Sequence, residues 1–99
     1  MIVWRITSQA KIGRTRELVE LTKSMQAAFP DPNAVRICVS HPAGAPTYNV
    51  VTDIEFESLA ALEQWLGEWF ADADSRALFQ KMEALQEPGG HSTLWNLVQ

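Results

Sequence analysis

The spacing of apolar residues switches along this chain between every second position and every third or fourth, and the order of the switches admits few folds. Residues 2 to 9 alternate, with Ile2, Trp4 and Ile6 on one side and Val3, Arg5, Thr7 and Gln9 on the other. Period two with β-branched and aromatic residues predicts a strand. After Gly13 the pattern turns helical. Leu18, Leu21, Met25 and Phe29 make one stripe, and Pro30 and Pro32 end it, because proline lacks an amide donor and restricts its predecessor. Residues 34 to 41 alternate again, Val35, Ile37 and Val39 against Arg36, Cys38 and Ser40. The turn at 42–46 leads to a third strand over roughly Thr47 to Glu57, with Tyr48, Val50, Thr52, Ile54 and Phe56 opposite Asn49, Val51, Asp53, Glu55 and Glu57. Two strands joined by a short Pro/Gly link predict an antiparallel hairpin.

Ser58 is a suitable cap for a second helix, whose face carries Leu59, Leu62, Leu66, Trp69, Phe70 and Ala73. The run Asp72-Ala73-Asp74-Ser75 predicts a break with a fresh cap, followed by a short piece with Leu78, Phe79, Met82 and Leu85. Glu87-Pro88-Gly89-Gly90 ends it, and residues 91 to 98 predict a last strand. The order β-α-β-β-α-β is that of an α+β, ferredoxin-like domain with a four-stranded antiparallel sheet. A chain of 99 residues has room for one core, so residues 1–99 are expected to form a single domain. Helices cover one face of such a sheet. Strands one and four are apolar on both sides, so the other face would be left as an exposed apolar patch. Stacking two sheets in a symmetric homodimer removes it, and that partner is the expected one.

Eight basic residues against twelve acidic ones give a net charge of -4. Phosphate binding needs clustered Lys and Arg, so no nucleic-acid partner is expected. The one cysteine, Cys38, excludes an internal disulfide and a multi-cysteine metal site. It alternates with Ile37 and Val39 and is expected to be a buried, inert thiol. No apolar run approaches the roughly 20 residues of a membrane span, and no signal-peptide core is visible, so a cytoplasmic location is expected and no membrane partner. His41 and His91 each border a turn without a second ligand at metal spacing, so no metal is expected. Nucleophile-elbow, phosphate-loop and dinucleotide patterns are absent.

Three groups of residues have chemical potential. Trp65 and Trp69, four apart on a helix, could flank a flat aromatic ligand or simply pack on the sheet. Asp53 and Glu55 share a strand face at roughly 7 Å. They could divide acid and base roles, or be neutralised across strands by Arg5 or Arg36. Arg5 could bind an anionic oxygen in a pocket or pair with an acid on the next strand.

Gly13-Arg14 with Glu17, the stretch Phe56-Glu57-Ser58, and Asp72-Ala73-Asp74-Ser75-Arg76-Ala77 resemble segments of the dimeric α/β-barrel superfamily, nearest its small antibiotic-biosynthesis-monooxygenase-like members. The likeness runs the whole length of the chain and implies the dimeric barrel. That superfamily includes cofactor-free quinone-forming oxygenases and haem-degrading enzymes. Haem-degrading members pair an Asn on strand one with a Trp and a His in helix two. Here strand one offers Thr7 and Ser8, and no His lies between 42 and 90, so haem cleavage is not carried over. The resemblance implies a monooxygenase needing no cofactor and acting on a small aromatic substrate, with Trp65, Trp69, Arg5 and Asn49 as pocket candidates. The alternative is a non-catalytic small-molecule-binding or structural dimerisation protein on the same scaffold.

Overall fold

The computed structural model describes residues 1–40 and 48–98, so His41, the turn at 42–46 and Thr47 lie outside the described residues. The elements are β1 (Ile2–Gln9), α1 (Thr15–Ala28), a 3-10 turn (Pro32–Ala34), β2 (Val35–Val39), β3 (Asn49–Phe56), α2 (Leu59–Ala71), α3 (Ala73–Ala84) and β4 (His91–Asn96). The four strands form one antiparallel sheet in the order β2-β3-β1-β4. This is the ferredoxin-like arrangement that the periodicities predict.

Local chemistry sets the joints. Gly13, at φ 78°, turns the chain out of β1 in a conformation that a side chain would resist. The amide of Ala61 donates to Ser58 Oγ at 3.2 Å and caps α2. The expected break in the second helix falls on one residue. Asp72 closes α2 and opens α3, its carboxylate accepting from the Ser75 hydroxyl at 2.8 Å and the Ser75 amide at 3.0 Å. The same two bonds hold the Asp72 carboxyl below the usual carboxylate range.

Opposite residues on neighbouring strands share a face. On the helix side, Val35, Ile54, Trp4 and Leu94 form one cross-strand row, and Ile37, Thr52, Ile6 and Ser92 the next. Leu18, Met25, Phe29 and Leu62 from the helices close the core over Val35, Val50, Ile54 and Phe56. The edge strand β4 is exposed along its whole length.

Four expectations are corrected here. In α1 the buried residues are Leu18, Thr22 and Met25, with Thr22 in the place expected for Leu21. The Thr22 hydroxyl donates to the Leu18 carbonyl at 2.8 Å, which removes the cost of burying it. Cys38 is exposed rather than buried. Val35 and Ile37 turn to the helices, so Arg36 and Cys38 take the open side of the sheet. The described part of β3 begins at Asn49 and ends at Phe56, where Ser58 starts the next cap. The last strand ends at Asn96, and the Leu97 amide donates to the Met1 carbonyl at 3.0 Å.

Candidate ligand chamber

Between the sheet and the helices lies a chamber of about 120 Å³. Its floor is Trp4, Ile6 and Ser8 of β1 with Val50, Thr52 and Ile54 of β3. The roof is Leu18, Thr22 and Met25 of α1, Trp65, Leu66, Trp69 and Phe70 of α2, and Phe79 and Met82 of α3, with Gln86 beyond. No charged side chain lines it among the described residues. A dry apolar cavity of about 150 Å³ holds a benzene molecule, so this space is of the size of one aromatic ring.

The aromatic residues around it are ordered by contact. Trp65 and Trp69 stack, with ring centroids 5.3 Å apart and planes at 27°. Trp4 meets Trp65 edge-on at 6.4 Å and 70°. Trp65 also touches Phe29 at 5.2 Å and Phe56 at 5.8 Å, which roots it in the core. Among the described residues Trp69 has a ring contact with Trp65 alone. At the other end Phe70 and Phe79 pack edge-to-face at 5.6 Å. The Thr22 hydroxyl proton is spent on the Leu18 carbonyl. The remaining polar side-chain groups at the chamber are Ser8, Thr52, the Gln86 amide and the indole N–H groups of Trp4, Trp65 and Trp69.

The four pocket candidates thus divide. Trp65 and Trp69 line the chamber together. Arg5 and Asn49 lie on the opposite face of the sheet, because the alternation that turns Trp4 and Val50 inward turns Arg5 and Asn49 outward. There Arg5 makes a bidentate pair with Asp53, Nε to Oδ1 at 2.8 Å and Nη2 to Oδ2 at 2.9 Å. Arg36 reaches Glu55 at 3.4 Å. Both members of the Asp53/Glu55 pair are therefore taken up by arginines on adjacent strands. The hydrogen bond from Arg5 holds the Asp53 carboxyl below its usual range, with Arg36 adding to the effect. Asp53 is accordingly an ionised structural group, not a proton donor near neutral pH. His91 begins β4 beside Thr7. Among the described residues no three His, Cys, Asp or Glu side chains gather closely enough to hold a metal ion. No described helix is long and apolar enough to cross a membrane.

The Arg5–Asp53 pair makes a pH prediction. The Asp53 pKa is lower in the folded chain than in the unfolded one, near 3.9. Its stabilisation is present above that value and is lost as pH falls through the folded pKa. Asp53→Asn is expected to be less stable than the parent chain in urea at about pH 7, with the gap closing below about pH 4. The gap is small, because the Arg5 side chain is 48% exposed and solvent screens the pair. A gap that stays constant down to about pH 2 would refute the ion-pair assignment.

Trp4, Phe79, Met82 and Gln86 line the chamber without having been singled out in the sequence. Trp4 is the largest residue on the side of β1 that carries Ile2 and Ile6, and Phe79 and Met82 lie on the apolar stripe of the third helix; Gln86 has no signal short of the tertiary fold.

No family model matches this chain, and no curated protein matches its sequence. Solved structures do. A NIPSNAP family protein from Agrobacterium tumefaciens superimposes with a TM-score of 0.79 at 17% identity, over 98% of this chain and 85% of that one. An antibiotic biosynthesis monooxygenase superimposes with a TM-score of 0.70 at 16% identity, each chain covered in full at 100%. An uncharacterized NIPSNAP domain protein from Burkholderia xenovorans gives 0.73 at 12% identity, over 99% and 95%. At these identities the likeness is one of fold, and the shared fold is the ferredoxin-like one.

Proposed function

We propose that this chain binds the flat, uncharged aromatic ring of one small molecule in the chamber between sheet and helices, and that it does so as a homodimer. The observation that supports binding most directly is the Trp65–Trp69 stack walling an apolar, ring-sized space. Indole faces attract a second π-system, and the absence of charged groups from the described lining disfavours an ionic ligand there. About ten heavy atoms at about 0.5 kcal/mol each correspond to a Kd of a few tenths of a millimolar. The open face of the sheet supports the dimer. Val3 and Trp95 stand opposite each other on it, and Trp95 is 55% exposed. A second copy of the same face is the simplest cover.

Emission of Trp4, Trp65 and Trp69 tests the binding, read in a Trp95→Phe background that silences the tryptophan on the far face. Small neutral one-ring aromatics such as 4-ethylphenol are expected to quench it with a submillimolar midpoint. Trp69→Ala keeps its circular dichroism and binds at least about tenfold more weakly. Silence across a panel of neutral aromatics while the dimer persists would leave the chain a structural dimerisation unit.

A monooxygenase without a cofactor is the second reading, favoured by the superposition on an antibiotic biosynthesis monooxygenase. In that chemistry an activated C–H of a phenolic substrate loses its proton. The carbanion passes one electron to dioxygen, and the radical pair joins as a peroxide. Protonation and loss of water then leave a carbonyl. The two substrate hydrogens and one oxygen atom leave as water, and the other oxygen is retained. The chamber would supply orientation and exclusion of water. Ser8, Thr52 and Gln86 can hold the substrate's oxygens, but none is a base near neutrality. The substrate would have to enter as a phenolate or lose its proton to solvent. Dioxygen uptake with anthrone-like phenols, lost in Trp69→Ala, would establish turnover.

A further inference from the structure

The chamber does not end at its ring-sized space. Trp4, Ile6, Ser8, Leu66, Phe70 and Phe79 border it and also border a wider surface cleft of about 680 Å³. The outer wall of that cleft is Glu83 and Glu87 with Pro88, Gly89 and Gly90. No Lys or Arg lines it among the described residues, His91 is the one ionisable side chain there besides the two glutamates, and neither glutamate takes part in an ion pair among the described residues.

The wall is held in place by backbone. The Glu87 amide donates to the Gln9 carbonyl at 2.8 Å, and the Lys11 amide to the Leu85 carbonyl at 2.9 Å. Gly89 turns the chain at φ 99°, and a Cβ on Gly90 would stand 3.1 Å from the Thr7 carbonyl oxygen. A side chain there would push the wall and β1 apart by a few tenths of an ångström. The backbone thus places two glutamates on the wall of a cleft that shares lining residues with an uncharged aromatic chamber.

We propose that the ligand is bipartite: an uncharged aromatic ring seated in the chamber, with a protonated amine on a short tether facing Glu83 and Glu87 in the cleft. This rests on the reading of the chamber as a ligand site and adds the charge class of what it takes. The same ring carrying a carboxylate would place like charges together in the cleft, on a chain whose net charge is already -4. Selection falls on the tether, since the ring makes the same contacts in either case.

Three probes of one ring and one tether length separate the possibilities: phenethylamine, 2-phenylethanol and phenylacetate. Binding is read from the indole N–H resonances of Trp65 and Trp69 in nitrogen-15-labelled full chain. At low salt the amine is expected to bind about tenfold more tightly than the acid, with the alcohol between them. In about 0.5 M salt the spread narrows. In the E83Q/E87Q double variant the amine loses its advantage, with the alcohol as internal reference. Equal binding of all three probes, or preference for the acid, overturns the proposal and leaves the chamber reading standing. If none of them moves the indole resonances, the chamber reading falls and this proposal with it.

Discussion

Ile54→Ala is expected to lower the free energy of unfolding by about 2–5 kcal/mol, the range for removing a large aliphatic side chain from a closed core. Ile54 has no solvent exposure. It sits in β3 between Val35 of β2 and Trp4 of β1, so no neighbour can move far enough to fill the void. A domain of this size has about 5–15 kcal/mol in total, and each kcal/mol moves the midpoint by about 4–8 °C. Thermal or urea unfolding at matched protein concentration reads the effect, since self-association would contribute to apparent stability. Leu94→Ala is the control. Leu94 stands in the same cross-strand row but on the exposed edge strand, 52% exposed, and should cost less than about 1 kcal/mol. Equal losses at the two sites would mean that the helices do not define one core over β1, β2 and β3.

The contrast between Ile54 and Leu94 shows where sequence reading reached and where it stopped. Period located β1 from Ile2 to Gln9, and capping residues located the helix break within 72–75, because local sterics and capping decide them. It could not decide which face of a strand meets the helices. On β1 a cue was present: Ile2, Trp4 and Ile6 are uniformly apolar, whereas Arg5 shares its side with Thr7 and Gln9. Weighting that cue would have put Arg5 on the open face, where Asp53 meets it. On β2 the decision belonged to Val35 and Ile37, and Cys38 went outward with Arg36. Helical spacing brought Trp65 and Trp69 to one wall. The remaining walls come from α1, α3 and two strands far apart in sequence, and only packing brings them together. Thr22 was missed for a related reason. A hydroxyl that bonds its own helix is buried as readily as an apolar group, yet reads as polar in any pattern.

Lysine at both Val3 and Trp95 is expected to convert a dimer of twice 11.1 kDa into a folded monomer. The two residues stand opposite each other in the β1–β4 register on the open face. Trp95 donates its Nε1–H to Thr93 Oγ1 at 2.8 Å, so its polar atom is satisfied and the ring offers mainly apolar surface. Arg5 and Asp53 neutralise each other beside it, so this face can meet its own copy without an uncompensated charge at that point. A two-fold axis brings the same patch against itself, and the double variant would then gather four ammonium groups in one desolvated interface. Repulsion of several kcal/mol is the consequence, enough to dissociate the assembly at micromolar concentration. Leu94→Lys, on the helix side of the same strand, should leave the dimer intact. Sedimentation velocity reads the masses, and circular dichroism confirms that the monomer is folded. If the parent chain sediments as a monomer at high concentration, the open face has some other cover, and Trp95 is the first residue at which to look for it.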